Sequence, residues 1–493
     1  MYRKITIGML LLLATLTAIA DDTLCMRRCR PLTSTHTAIR HKAPRRASTK
    51  TPYIGNRHQL TILASFQDKK FINGSPSTLW NRILNESHFN EEPFRGSVHD
   101  YFYDQSYGQF NLTFDLHEIT LPDSLNKYKS TSQDDENSKY MVNDIIDILV
   151  AKGIDWSPYD WDGDGTIEQL LIIYAGKGMN DGGDDNSIWP HQWWLSEHED
   201  CEARQVSSNE KDYIVDCYCC VQEITAKDDY GCFGTICHEY SHCFGLPDFY
   251  NGNKSFLKYW DLMDSGNYKG NGFCPTSYSA HERMLMGWLQ PKELTSDTIV
   301  ANMPQLAEEP VAYLVRNNGY DQEYYFIENR QQNRWDEGLP GKGIIIFHID
   351  YSEGLWRSTT EYVNTNKLMR YHIIPANNIT SIYSSANWTY PYQNNTELTN
   401  TSSPAATLIH PNSDGTNLMS KPITEIQVTD GMASFHFQND MVSAVPTVSL
   451  SAENVRQYFS LQGHALGNDL ALLPQGIYIV RDAQGNTIKI VKR

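Results

Sequence analysis

Residues 238–248 read His-Glu-Tyr-Ser-His-Cys-Phe-Gly-Leu-Pro-Asp, and the spacing of the polar members is that of a metal site. His238 and His242 stand four apart, so on a helix they share one face, one turn above the other, and two neutral imidazoles reach one ion. Glu239 sits beside the first histidine, where its carboxylate can take a proton from water activated by the metal. Gly245 is placed to end the helix in a left-handed conformation, and Pro247 forbids its continuation. The turn brings Asp248 round as a candidate third ligand; Glu282, on a helix expected over 277–288, is the alternative. Three protein ligands and one open position make a catalytic rather than a structural zinc site, and the expected chemistry is peptide-bond hydrolysis.

A second set of oxygen donors lies at Asp160, Asp162, Asp164 and Glu168, with Gly165 at the sixth position, as in the first part of a calcium-binding EF-hand loop. Position 12 is Leu171, so the closing bidentate Glu is missing and the expectation is a variant structural calcium site completed from elsewhere. The ten cysteines are Cys25, Cys29, Cys201, Cys217, Cys219, Cys220, Cys232, Cys237, Cys243 and Cys274. Eight fall between 201 and 274, without a clean pair of CxxC arms, and are expected to be mostly disulfide staples.

The elements that must position these groups follow from periodicity. Residues 60–66 and 170–174 read as strands, 145–151 as the end of a helix, and Gly234-Thr235 offers a start for the helix bearing His238. Alternating strands and helices over 56–290 predict an α+β catalytic domain with α/β-like character. Over 291–440 the short β runs 324–328, 343–349 and 371–374, separated by Gly, Asn and Asp, predict a β-rich, β-sandwich-like second domain. A Pro- and Ser-bearing linker and a small β piece fill 441–493. Residues 1–20, with Arg3 and Lys4 ahead of an apolar run and a small-residue end, read as a signal peptide, and 21–55 as a pro-segment or leader.

The chain has 493 residues, 40% of them apolar, and a formal net charge of -18. That balance argues against nucleic acid or an anionic membrane surface as partner. The expected protein is exported or cell-surface, without a membrane span, monomeric, and active on proteins or peptides. The rival is a catalytically silent calcium-binding adhesion or carbohydrate-binding protein, against which the intact Glu239 argues.

The motif and its surroundings resemble the immune inhibitor A-like peptidases, the M6 family. The matching stretches are His238 to Asp248, 96–102, 106–110, Trp189-Pro-His191, Glu328-Asn-Arg330 through Trp335, and 338–340 to 347–350. The resemblance implies a metzincin-like catalytic domain, zinc on His238, His242 and Asp248, Glu239 as base, and Met263 in a turn beneath the metal. Tyr268 and His191 are candidates to stabilise an oxyanion. Cys25 or Cys29 can block the zinc in a precursor, a disulfide being the other outcome. The last 40 residues resemble the C-terminal sorting segments of exported Bacteroidetes proteins.

Overall fold

The computed structural model describes residues 53–129, 137–183, 187–252, 254–358, 360–438, 457–481 and 487–492. The signal-peptide stretch, nearly all of the leader with Cys25 and Cys29, and the linker 441–456 lie outside the described residues.

The first half is built on a five-stranded sheet in the order β2-β1-β4-β8-β5, comprising Gly55–Ser65 (β1), Phe110–Thr120 (β2), Leu170–Lys177 (β4), His191–Trp194 (β5) and Cys217–Ile224 (β8). β1, β2, β4 and β8 run parallel, and β5 pairs antiparallel with β8 at one edge. The apolar runs in β1 and β4 are continuous because both faces are covered. Leu63, Leu171, Ile173 and Val221 enter one core, whereas Leu60, Ile62, Ile172 and Tyr218 enter a second on the opposite face.

The first core is roofed by α1 (Pro76–Asn85), α2 (Val98–Gln105) and α5 (Phe233–His242). A short turn, α3 (Leu125–Tyr128), and α4 (Ser138–Lys152) cover the second face, with Met141, Val142, Ile145, Ile146 and Leu149 of α4 turned inward. β3 (Thr166–Ile167), β6 (Arg204–Ser208) and β7 (Lys211–Val215) make a small sheet beside the Asp160 loop.

The helix expected over 277–288 is shorter: α6 spans Ala280–Leu285. Ser279 takes extended backbone and caps it, and Gly287 at φ 80° ends it.

The second half carries β9 (Lys292–Glu293), β11 (Tyr313–Arg316), β12 (Glu323–Arg330), β13 (Gly343–Asp350) and β14 (Tyr371–Ile373) in one sheet, in the order β14-β13-β12-β11-β9. β10 (Thr298–Met303), β15 (Ile423–Thr429) and β16 (Met432–Phe437) form another. Tyr325, Ile327, Ile344 and Ile346 pack against Val300, Ile426 and Phe435 of the smaller sheet. Their neighbours Tyr324, Phe326, Ile345 and Phe347 point the other way, into the core that holds α5. The β12-β13 layer is therefore buried on both faces and props the helix that carries the HExxH sequence. The C-terminal piece is a four-stranded sheet, β18-β17-β19-β20, formed by Gln457–Phe459 (β17), Ala465–Gly467 (β18), Gly476–Arg481 (β19) and Thr487–Lys492 (β20). No helix among the described residues is long and apolar enough to cross a membrane.

Candidate metal centre

α5 is buried along almost its whole length, which a helix inside a two-sided core requires. It begins at Phe233, one residue before the expected Gly234-Thr235 start. Gly234 serves packing instead: a β-carbon there would overlap the Asn267 carbonyl oxygen of the 266–272 turn. Phe233 stacks on Trp335 with ring centroids 6.0 Å apart, so the second half fixes the start of the helix. At its end Gly245 adopts φ 85°, and its N–H donates to the His242 carbonyl at 2.8 Å, which reverses the chain as expected.

That reversal brings Asp248 to both imidazoles. Its Oδ1 lies 3.2 Å from His238 Nε2 and 3.5 Å from His242 Nε2. His238 Nδ1–H donates to the Leu262 carbonyl at 2.9 Å and His242 Nδ1–H to the Leu246 carbonyl at 2.8 Å. With Nδ1–H committed to a carbonyl, each ring in its neutral form presents Nε2 as the lone-pair nitrogen that a metal needs. His238 Nε2 and Asp248 Oδ1 are buried and make no aligned hydrogen bond. Two imidazole nitrogens and a carboxylate oxygen converging on one point suit a divalent cation, and zinc most closely.

Glu239 is buried beside this point with Oε2 3.9 Å from His242 Nε2, and its carboxylate groups with the two imidazoles. Burial raises the cost of ionising Asp248, but His242, His238 and a hydrogen bond from Tyr250 hold its carboxyl below the usual range. Burial disfavours the imidazolium at His238, yet Asp248 and Glu239 push it up to about 9. At His242 burial prevails and its pKa falls.

Met263 is fully buried, and its carbonyl accepts the Phe249 N–H at 2.9 Å, tying the turn to the segment just past Asp248. Asp261 accepts the Met263 N–H at 2.8 Å, and Tyr371 of β14 donates to the same Asp261 carboxylate at 2.9 Å. Glu282 lies elsewhere: its carboxylate accepts the Ser279 N–H at 2.7 Å while Ser279 Oγ accepts the Glu282 N–H, a reciprocal capping box. The Ser279-x-x-Glu282 spacing announces that role in the sequence. The Leu246 and Leu262 carbonyls, Tyr250 and Tyr371 have no comparable local signal, except that Tyr250 stands two residues past Asp248.

His191 is committed to a buried network, its two nitrogens 2.7 Å from the Trp189 carbonyl and 3.0 Å from the Tyr218 hydroxyl, and burial lowers its pKa to about 4. Tyr268 lies half-buried in the 266–272 turn. In the acidic loop, the carboxylates of Asp160, Asp162 and Asp164 come together, while Glu168 turns away to accept the Trp161 N–H at 2.8 Å. Burial pushes the Glu168 carboxyl up to about 8, and Lys211 Nζ sits 2.9 Å from Asp160. All eight cysteines among the described residues are free thiols, so the expected staples are not formed there, and most of these thiols pack as small apolar groups.

Residues 51–290 match the catalytic-domain model of immune inhibitor A peptidase M6. Immune inhibitor A from Bacillus thuringiensis subsp. alesti is 27% identical over 328 residues, 56% of this chain and 45% of that protein. The pre-pro-metalloprotease PrtV of Vibrio cholerae is 25% identical over 207 residues, 34% of this chain and 21% of that protein. The chain therefore spans less than half the length of these curated relatives. A solved structure of OgpA from Akkermansia muciniphila aligns with 59% of this chain and 88% of that one at 12% identity and a TM-score of 0.28, too loose to carry a fold assignment.

Proposed function

We propose, for a chain that belongs through residues 51–290 to the immune inhibitor A peptidase M6 family, that it is an exported zinc-dependent endopeptidase acting on proteins, with a metzincin-like catalytic domain. The observation that carries the reading is the convergence of His238 Nε2, His242 Nε2 and Asp248 Oδ1, with both Nδ1 atoms anchored on carbonyls. In this reading those three side chains hold the zinc. A zinc ion held there would supply a Lewis acid for a peptide carbonyl and lower the pKa of nearby water. Glu239 takes the proton of the attacking water on its carboxylate and delivers it to the departing amine. The buried Asp261–Met263 turn keeps His238 oriented through the Leu262 carbonyl.

Casein hydrolysis by the processed protein is the test. Activity is expected to vanish with a chelator and to return with stoichiometric zinc, and equal activity with and without metal would end the proposal. Asp248→Ala is expected to surrender zinc to a weak chelator, whereas Glu282→Gln retains it. The opposite order, read by elemental analysis, would make Glu282 the ligand.

The Asp160, Asp162 and Asp164 cluster, with Glu168 behind it, is the place of a structural calcium ion in the same reading. Calcium is expected to raise the melting temperature of the intact protein and to lose that effect in Asp162→Asn with Asp164→Asn. An identical melting curve with and without calcium removes the ion from the proposal. Export through residues 1–20 and a sorting role for the β17–β20 piece complete the reading.

A further inference from the structure

The cysteines do not spread evenly through the first half. β8 begins Cys217-Tyr-Cys219-Cys220, and strand alternation sends Cys217 and Cys219 to one face and Cys220 to the other. Cys243 is the residue immediately after α5. It comes to the Cys217–Cys219 face, where Cys217 Sγ and Cys243 Sγ are 3.6 Å apart and the Cys219 thiol also hydrogen-bonds with Cys243. The other described thiols are engaged elsewhere. Cys220 faces His191 at 3.4 Å, Cys232 donates to the Glu223 carbonyl at 3.1 Å, and Cys274 accepts from Lys269 Nζ at 3.1 Å. Cys237 lies in the core beside Ile236 and Tyr240.

Cys243 is partly buried and Cys217 is buried beside it. The two sulfurs, 3.6 Å apart, must close by about 1.5 Å to reach a disulfide bond length.

We propose that Cys217 and Cys243 are a thiol-oxidation site, closed to a disulfide by a low-molecular-weight disulfide such as oxidised glutathione, and that Cys219 is the alternative partner for Cys243. The steps balance. One protein thiolate attacks the glutathione disulfide, giving a mixed disulfide on Cys243 and one reduced glutathione. The Cys217 thiolate then attacks the Cys243 sulfur, forming the Cys217–Cys243 bond and expelling the second reduced glutathione. Two protein thiols are oxidised and one glutathione disulfide is reduced to two thiols.

The bond would tie the end of α5, directly beside His242, to the sheet. The turn 243–248 that presents Asp248 is then held at Cys243 as well as at Leu246, whose carbonyl already accepts from His242. This consequence rests on the metal-site reading, but the bond itself does not.

The test uses the full chain incubated with oxidised glutathione, alkylated under denaturing conditions and digested without reductant. Mass spectrometry is expected to find peptides 212–227 and 228–254 linked, with the link sequenced to Cys217 and Cys243. Cys217→Ser is expected to move the link to Cys219–Cys243, and Cys243→Ser to abolish it while leaving Cys232 and Cys237 alkylated. Eight alkylated thiols in 201–274 after oxidation, or a link from Cys232 or Cys237, would overturn the proposal. The oxidised protein is further expected to lose zinc to a chelator several-fold more slowly than the reduced one. If the link forms in a protein that binds no zinc, the metal reading fails and the oxidation site stands.

Discussion

Glu239→Gln is expected to lower kcat/KM for casein or a peptide by about 100- to 10,000-fold, the usual weight of a positioned general base. Gln keeps the volume and one acceptor oxygen of Glu but takes up no proton, so water approaching the His238, His242 and Asp248 cluster loses its proton acceptor and the leaving amine loses its donor. Glu239 is buried on α5 beside His242, so the substitution needs no new space. Zinc content and melting temperature are expected to stay close to those of the parent, which separates loss of the base from loss of the site. The fall should appear in kcat with KM little changed, because the proton moves only in the reaction. Near-parental turnover with full zinc occupancy would remove Glu239 from the role.

Arg330→Met is expected to cost about 3–5 kcal/mol of stability, the usual penalty for leaving a buried ion pair half dismantled. Arg330 is buried between Glu328, 3.0 Å from its Nη1, and Asp336, 2.7 Å from its Nε, and its Nη2 donates to the Ser277 carbonyl at 3.1 Å. The same two carboxylates accept the Ala280 and Ser277 N–H groups at the start of α6. Nearby, burial pushes Asp261 up to about 7 and Glu282 well above the carboxylate range, so this interior already holds carboxyls that resist ionising. Met fills the volume but supplies no charge. Urea denaturation measures the loss, and adding Glu328→Gln and Asp336→Asn is expected to recover part of it. Arg95→Met is the contrast: its pairs with Glu92 and Glu337 are exposed, and a change under about 1 kcal/mol is expected. Equal effects of the two substitutions would show that burial of the Arg330 cluster carries no special weight.

Much of the architecture was legible because it is local. The expected strands at 60–66, 170–174, 324–328 and 343–349 lie within β1, β4, β12 and β13, except that β1 stops at Ser65. Their unbroken apolar runs follow from sheets covered on both faces. The Gly245 turn was equally readable, since positive φ favours Gly and the following Pro stops a helix. The helix spans 280–285 rather than 277–288 because Ser279 takes extended backbone at its start and Gly287 ends it, while the apolar pattern runs on beyond both. Gly234 is needed not for a helix start but for the close approach of the Asn267 carbonyl, some thirty residues along the chain. The acidic loop was legible as three converging carboxylates but not as a loop whose fourth member turns back to its own backbone.

At the centre the division is sharper. The sequence by itself placed His238, Glu239 and His242 on one helical face, because the period of an α-helix fixes residues one and four apart with no help from the rest of the chain. It left Asp248 and Glu282 as alternatives, because a carboxylate's reach depends on where its backbone is carried. Tertiary structure brings Asp248 to both imidazoles and gives Glu282 to Ser279 as a helix cap. It also sets which nitrogen His238 offers, since the Leu262 carbonyl, the Asp261 contact behind it and Tyr371 of β14 come from other segments, whereas the Leu246 partner of His242 is local. The last of these, from Tyr371 to Asp261, forms only when the second half packs against the first.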